Sequence, residues 1–166
     1  PRLVYRNMAN GKFKDVSAEM GPGISERFSS RGAAFGDYDN DGDVDVLVLN
    51  MNDVPSLLRN DGGNMQNWIK IKLIGTKCNR TAIGARVRVV TGEHVQIDEV
   101  HSGSSVMSQG DLRLHFGIGK LQTVDLIEVK WPTTGKLERF TKVTANQILT
   151  IREGSGIVAA TGATAK

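Results

Sequence analysis

A single cysteine, Cys78, excludes an internal disulfide. Prolines number four, and aromatics make up 5% of the 166 residues. With 19 glycines and abundant Val, Ile and Leu, that composition excludes a proline-rich chain and points to tight turns between short strands. No apolar run approaches the ~20 residues a membrane-crossing helix needs, so membrane insertion is not expected. A basic-apolar leader is also missing. The chain begins Pro1-Arg2-Leu3, without an initiator Met, and reads as a piece of something longer, so the missing leader carries no information about export.

Charge of one sign is concentrated in one loop and nowhere else forms a block. Net charge is +3, and five of the 18 acids fall within nine residues. The rest of the chain carries 21 basic against 13 acidic side chains. These bases are scattered: Lys70 and Lys72 in one stretch, Arg80, Arg86 and Arg88 in another. A nucleic-acid groove interleaves basic and aromatic side chains; this chain does not, and no nucleic-acid partner is expected.

Strand signals dominate what remains. Trp68-Ile69-Lys70-Ile71-Lys72-Leu73 alternates with period two, as do Ala85-Arg86-Val87-Arg88-Val89 and Leu112-Arg113-Leu114-His115-Phe116. Apolar runs at 44–49, 95–100, 124–131, 137–140 and 147–151 complete the set, separated by Gly, Asn and Thr clusters. No segment offers three helical turns with an apolar stripe. The expected fold is all-β: a partial β-propeller blade over residues 1–62, a β-sandwich or barrel-like domain over 63–153, and a flexible Gly, Ala, Ser and Thr-rich tail over 154–166. The blade reading rests on a partial repeat. Val4-Tyr5-Arg6-Asn7 precedes Asn10-Gly11, and Leu57-Leu58-Arg59-Asn60 precedes Asp61-Gly62-Gly63. Such units need neighbours to bury their faces.

The acidic loop is Asp37-Tyr38-Asp39-Asn40-Asp41-Gly42-Asp43-Val44-Asp45. Its five carboxylates occupy alternate positions, and Gly42 allows a sharp turn. Two like charges ~4 Å apart cost ~1 kcal/mol in water and several times that near a protein surface. A loop pinned to a following strand cannot splay to relieve this, so a bound cation is expected. Ca²⁺ takes six to eight hard oxygens from carboxylates, carbonyls and water. The expected metal residues are Asp37, Asp39, Asp41, Asp43 and Asp45, with Asp45 as the closing bidentate ligand and Asp43 giving its backbone carbonyl. The loop is not an EF-hand: the twelfth position is Val48, where that motif needs a Glu, and a strand follows. Mg²⁺ prefers few protein ligands and retained waters, which disfavours it.

Ala34-Phe35-Gly36 followed by this loop resembles the FG-GAP/VCBS repeat of integrin-like propellers. Gly11-Lys12-Phe13-Lys14-Asp15-Val16 and the turns at Val4-Tyr5-Arg6-Asn7 and Leu57-Leu58-Arg59-Asn60 fit the same blade. From Asn67 to about Glu153 the chain resembles an ASPIC/UnbV domain. The matching pieces are Asn67-Trp68, Asn79-Arg80-Thr81-Ala82-Ile83-Gly84-Ala85-Arg86-Val87, Ser108-Gln109, His115-Phe116-Gly117-Ile118-Gly119, Val129-Lys130-Trp131-Pro132 and Asn146-Gln147. The resemblance implies a secreted, periplasmic or cell-surface protein. It implies a Ca²⁺-binding, non-enzymatic interaction or adhesion module with a protein or glycan partner. Its alternatives are an ASPIC/UnbV-type enzyme acting on a small natural product, or a carbohydrate-binding β-domain.

Other constellations carry less. Asp98, Glu99, His101, Ser102, Ser104 and Ser105 lack the Gly-x-Ser-x-Gly frame of a nucleophile elbow and read as a polar turn. His94, His101 and His115 lack metal spacing, and His115 reads as a half-buried strand residue. Asn79-Arg80-Thr81 is a glycosylation sequon that also fits a structural turn. Trp68 and Trp131 could stack on a sugar, but such tryptophans more often pack a sandwich edge.

Overall fold

The computed structural model describes residues 2–104 and 106–162, and nearly all their regular structure is β. The first strands, β1 (Tyr5–Asn7) and β2 (Phe13–Asp15), form an exposed hairpin. A 3₁₀ turn and the short α1 (Pro22–Ser25) lead to an antiparallel sheet of β3 (Ser30–Gly36), β4 (Asp45–Asn50) and β5 (Ser56–Leu58). Among the described residues up to 62, Val16 and Val48 are the buried apolar side chains, while Phe13, Phe35, Leu47, Leu49 and Leu57 stay exposed. This sheet alone does not enclose a core, as expected of a unit that needs neighbours.

The core lies further along. One four-stranded sheet has the order β13-β12-β6-β9, with β6 (Asn67–Ile74), β9 (Leu114–Gly119), β12 (Gln147–Arg152) and β13 (Gly156–Gly162). Within it β6 and β12 run parallel; the other pairs are antiparallel. The second sheet, entirely antiparallel, has the order β11-β10-β7-β8, with β7 (Arg86–Thr91), β8 (His94–Glu99), β10 (Thr123–Lys130) and β11 (Leu137–Thr144). Alternate residues of both sheets enter one apolar cluster: Ile69, Ile71 and Leu73 of β6, Val87 and Val89 of β7, Ile127 and Val129 of β10, Leu149 and Ile151 of β12. The result is a sandwich, not a closed barrel. Trp131 is fully buried in it and Trp68 is 3% exposed, so neither offers a sugar-stacking face.

The tail expectation is corrected at residues 156–162, which form β13 and pair with β12 from Gly156↔Arg152 to Gly162↔Gln147. Gly154 and Gly156 adopt left-handed φ of 76° and 77°, reversing the chain so that it completes the free edge of β12. Residues 163–166 lie outside the described residues.

Beyond Glu153 the structure also shows why the sandwich end is well tied. The Glu153 carboxylate, 4% exposed, accepts the backbone N–H groups of Thr76, Lys77 and Cys78 at 2.9, 2.7 and 3.1 Å. Burial raises its pKa, but these donors outweigh burial and bring it down to about 2.

Candidate metal centre

The acidic loop joins β3 to β4 and folds on its own carboxylates. Asp37 Oδ1 accepts the Asp41 N–H at 3.1 Å, and its Oδ2 accepts that of Gly42 at 3.1 Å. Asp41 Oδ1 accepts the Asp43 N–H at 3.0 Å. Asp45 Oδ2 and Oδ1 accept the N–H groups of Tyr38 and Asn60 at 3.2 and 2.8 Å. The Arg59-Asn60 turn thereby closes the loop from β5, a role the repeated Arg-Asn pair only marked as a turn. Asn40 and Gly42 take positive φ, 60° and 101°.

The loop is pressed against the sandwich. An added Cβ on Gly42 would lie 2.0 Å from ring atoms of Trp68. Lys70, 1% exposed, reaches Asp37 Oδ2 with its Nζ at 2.5 Å. Arg113, at the entrance to β9, donates to Asn40 Oδ1 at 2.5 Å, to the Asp37 carbonyl at 2.9 Å and to Asp111 Oδ2 at 2.6 Å. Period-two alternation places Lys70 and Lys72 on the same outer face of β6, yet only Lys72 is exposed there. The difference is the acidic loop, which covers that face at the Lys70 end.

The loop buries charge. Asp37, Asp41, Asp43 and Asp45 are 2%, 5%, 2% and 2% exposed. Desolvation first, then the charge of Asp45, raises the pKa of Asp43, against a backbone hydrogen bond from Gly63. Burial lowers the pKa of Lys70, and the Asp37 contact opposes that. Of the five expected ligands, Asp37, Asp39 and Asp45 bring one oxygen each within 4.8 Å of one another. Asp41 and Asp43 lie outside that group. The buried Asp39 Oδ1 has no hydrogen-bond partner among the described residues. An oxygen-only donor set, a surplus of negative charge and an unsatisfied buried carboxylate oxygen fit a hard cation of the Ca²⁺ type.

The other sequence candidates do not assemble. His94, His101, Ser102 and Ser104 are exposed, and Ser105 lies outside the described residues. His115 stacks on Trp68 with ring centroids 5.9 Å apart; burial and Lys70 push its pKa down to about 4. Asn79 is a structural turn: its amide donates to the Ile83 carbonyl at 2.9 Å and its Oδ1 accepts the Ile83 N–H at 2.8 Å. Burial raises the pKa of the Cys78 thiol, helped by Glu153, which is the wrong direction for a nucleophile.

Comparison with known families places both halves. The model of the FG-GAP-like repeat matches residues 2–48, and that of ASPIC and UnbV matches residues 75–158, just over half of the chain. The chain belongs to the ASPIC and UnbV family. It is similar to cartilage acidic protein 1 of Xenopus tropicalis, 32% identical over 122 residues that cover 69% of this chain and 18% of that protein. Cartilage acidic protein 1 of Homo sapiens is 27% identical over 147 residues, 78% of this chain and 22% of that protein. The chain thus spans about a fifth of the length of these curated relatives. Within this ASPIC and UnbV protein, Trp68 and Lys70 fall between the two matched segments, on the strand that meets the acidic loop.

Proposed function

We propose that this chain is the Ca²⁺-binding, non-enzymatic interaction segment of a longer exported protein. In this reading residues 1–62 are a partial propeller blade and residues 63–153 a β-sandwich that presents it to a protein or glycan partner. The observation that carries the metal reading is the convergence of Asp37, Asp39 and Asp45 oxygens, together with a buried Asp39 oxygen that has no hydrogen-bond partner among the described residues. Residues Asp41 and Asp43 add charge to the same loop. The cartilage names of the relatives support export. No helix among the described residues is long and apolar enough to cross a membrane.

A non-enzymatic role is favoured by the small size of the cavity that holds the perturbed Lys70 and His115. An enzyme gathers shifted titratable residues in one sizeable pocket. Among the described residues a cavity of about 650 Å³ is lined by Lys72, Arg80, Asp111 and Arg113 among others, and neither His115 nor Glu153 lines it. The cavity that His115 does line is about 180 Å³, below the ~300 Å³ at which ligand pockets begin.

Thermal melting in Ca²⁺ and in chelator tests the reading. Extracellular Ca²⁺ modules bind at ~10⁻⁴–10⁻³ M. At ten times the dissociation constant, linkage adds ~1.4 kcal/mol to stability. Identical melting curves in the two conditions sink it.

A further inference from the structure

Lys70 is a cation buried at the place where the Ca²⁺ proposed above would need none. Lysine is almost never fully buried unless paired, because desolvating an ammonium costs several kcal/mol. Lys70 is 1% exposed, and the carboxylate that takes its charge belongs to Asp37, one of the three converging metal candidates. The ammonium cannot easily withdraw. Its neighbours Ile69 and Ile71 are both fully buried on the opposite face of β6, and its Nζ lies 5.9 Å from the Trp68 ring. Lys70 therefore enters the loop from a rigid strand of another part of the chain.

We propose that Lys70 is a built-in counter-charge of the acidic loop: its ammonium and Ca²⁺ are alternative neutralisers of the same carboxylates. The inference rests on the Ca²⁺ reading and adds how the site is tuned. Without the ion, Lys70 offsets part of the mutual repulsion of five aspartates and keeps the loop docked on β6. With the ion, the ammonium faces a divalent cation across a shared Asp37, a like-charge contact in partly desolvated surroundings. Lys70 thus stabilises the ion-free fold and weakens Ca²⁺ binding together. Arg113 does not share this role, since its guanidinium contacts the loop through the Asp37 carbonyl and Asn40, not through a loop carboxylate.

The test compares the wild-type chain with Lys70→Met, Lys70→Gln and the charge-retaining Lys70→Arg. Trp68 fluorescence, from an indole packed on Gly42, follows Ca²⁺ titration, and melting is recorded in chelator and in saturating Ca²⁺. Both neutral variants are expected to bind Ca²⁺ at least tenfold more tightly than wild type, a change of ~1.4 kcal/mol. They are expected to melt lower in chelator and to regain more on adding Ca²⁺; Lys70→Arg stays within threefold of wild type. A neutral variant that folds only when Ca²⁺ is present supports the proposal equally. Unchanged or weaker binding in the neutral variants overturns it while leaving the Ca²⁺ reading intact. A neutral variant that fails to fold even in saturating Ca²⁺ also overturns it, because the two cations are then not interchangeable. Absence of Ca²⁺ binding in wild type and in all variants overturns both.

Discussion

Replacing Gly42 by Ala tests whether the acidic loop is docked on the sandwich. Gly42 has φ +101°, where an L side chain is strained, at a cost of ~1–2 kcal/mol. The new methyl would also meet Trp68 at 2.0 Å from Cε2 and Nε1 and 2.3 Å from Cζ2. Carbon contacts are comfortable at ~3.5 Å or more, so the loop must shift by about 1.5 Å. Overpacking of this kind costs ~1–3 kcal/mol. Together these give about 3 kcal/mol, or roughly 6–12 °C in Tm for a chain of this size. Differential scanning calorimetry in chelator reads the shift. A companion Trp68→Leu change should recover part of the loss through a double-mutant cycle, with a coupling of about 1 kcal/mol or more. If Gly42→Ala melts within about 1 °C of wild type, or if Trp68→Leu recovers nothing, the close contact between loop and sandwich is wrong.

Three further outcomes follow from the same structure. Asp39→Asn removes one charge from the cluster at the oxygen that has no hydrogen-bond partner; it should raise Tm in chelator, by up to ~1 kcal/mol of relieved repulsion, while a lowered Tm contradicts the electrostatic account. Glu153 has its folded pKa depressed from 4.5 to about 2, so its contribution is complete above 4.5 and is lost as pH falls through about 2; Glu153→Gln should cost ~1–3 kcal/mol at neutral pH and flatten acid unfolding in that window. His115, depressed from 6.5 to about 4, is neutral in the fold, so its contribution is full above 6.5 and is lost on acidification towards 4; an NMR titration giving an ordinary imidazole pKa would show that the ring is not desolvated as described.

Much of the fold was legible because alternation is a local signal. The strands around Ile69-Ile71, Val87-Val89 and Leu114-Phe116 appear where period two placed them, and the aspartate spacing marked the loop. β13 was missed because Gly156-Ile157-Val158-Ala159-Ala160-Thr161-Gly162 has little apolar contrast and draws its order from the edge of β12. The contacts that shape the site were not legible at all. Lys70 to Asp37 spans 33 residues and Arg113 to the Asp37 carbonyl spans 76. In sequence Lys70 is indistinguishable from Lys72, and only the loop folded over β6 separates a buried ion pair from a solvated lysine. The spacing singled out Asp45 and Asp43 among the five aspartates but not Asp39, whereas folding draws Asp37, Asp39 and Asp45 into one group and turns Asp41 Oδ1 to the Asp43 backbone.

Isothermal titration of Ca²⁺ into the purified chain, alongside Asp39→Asn, tests the metal site itself. Saturable binding of one ion per chain with a Kd of ~10⁻⁴–10⁻³ M is expected, and none in the variant. No saturable binding to the wild type, or the same isotherm from Asp39→Asn, would contradict it.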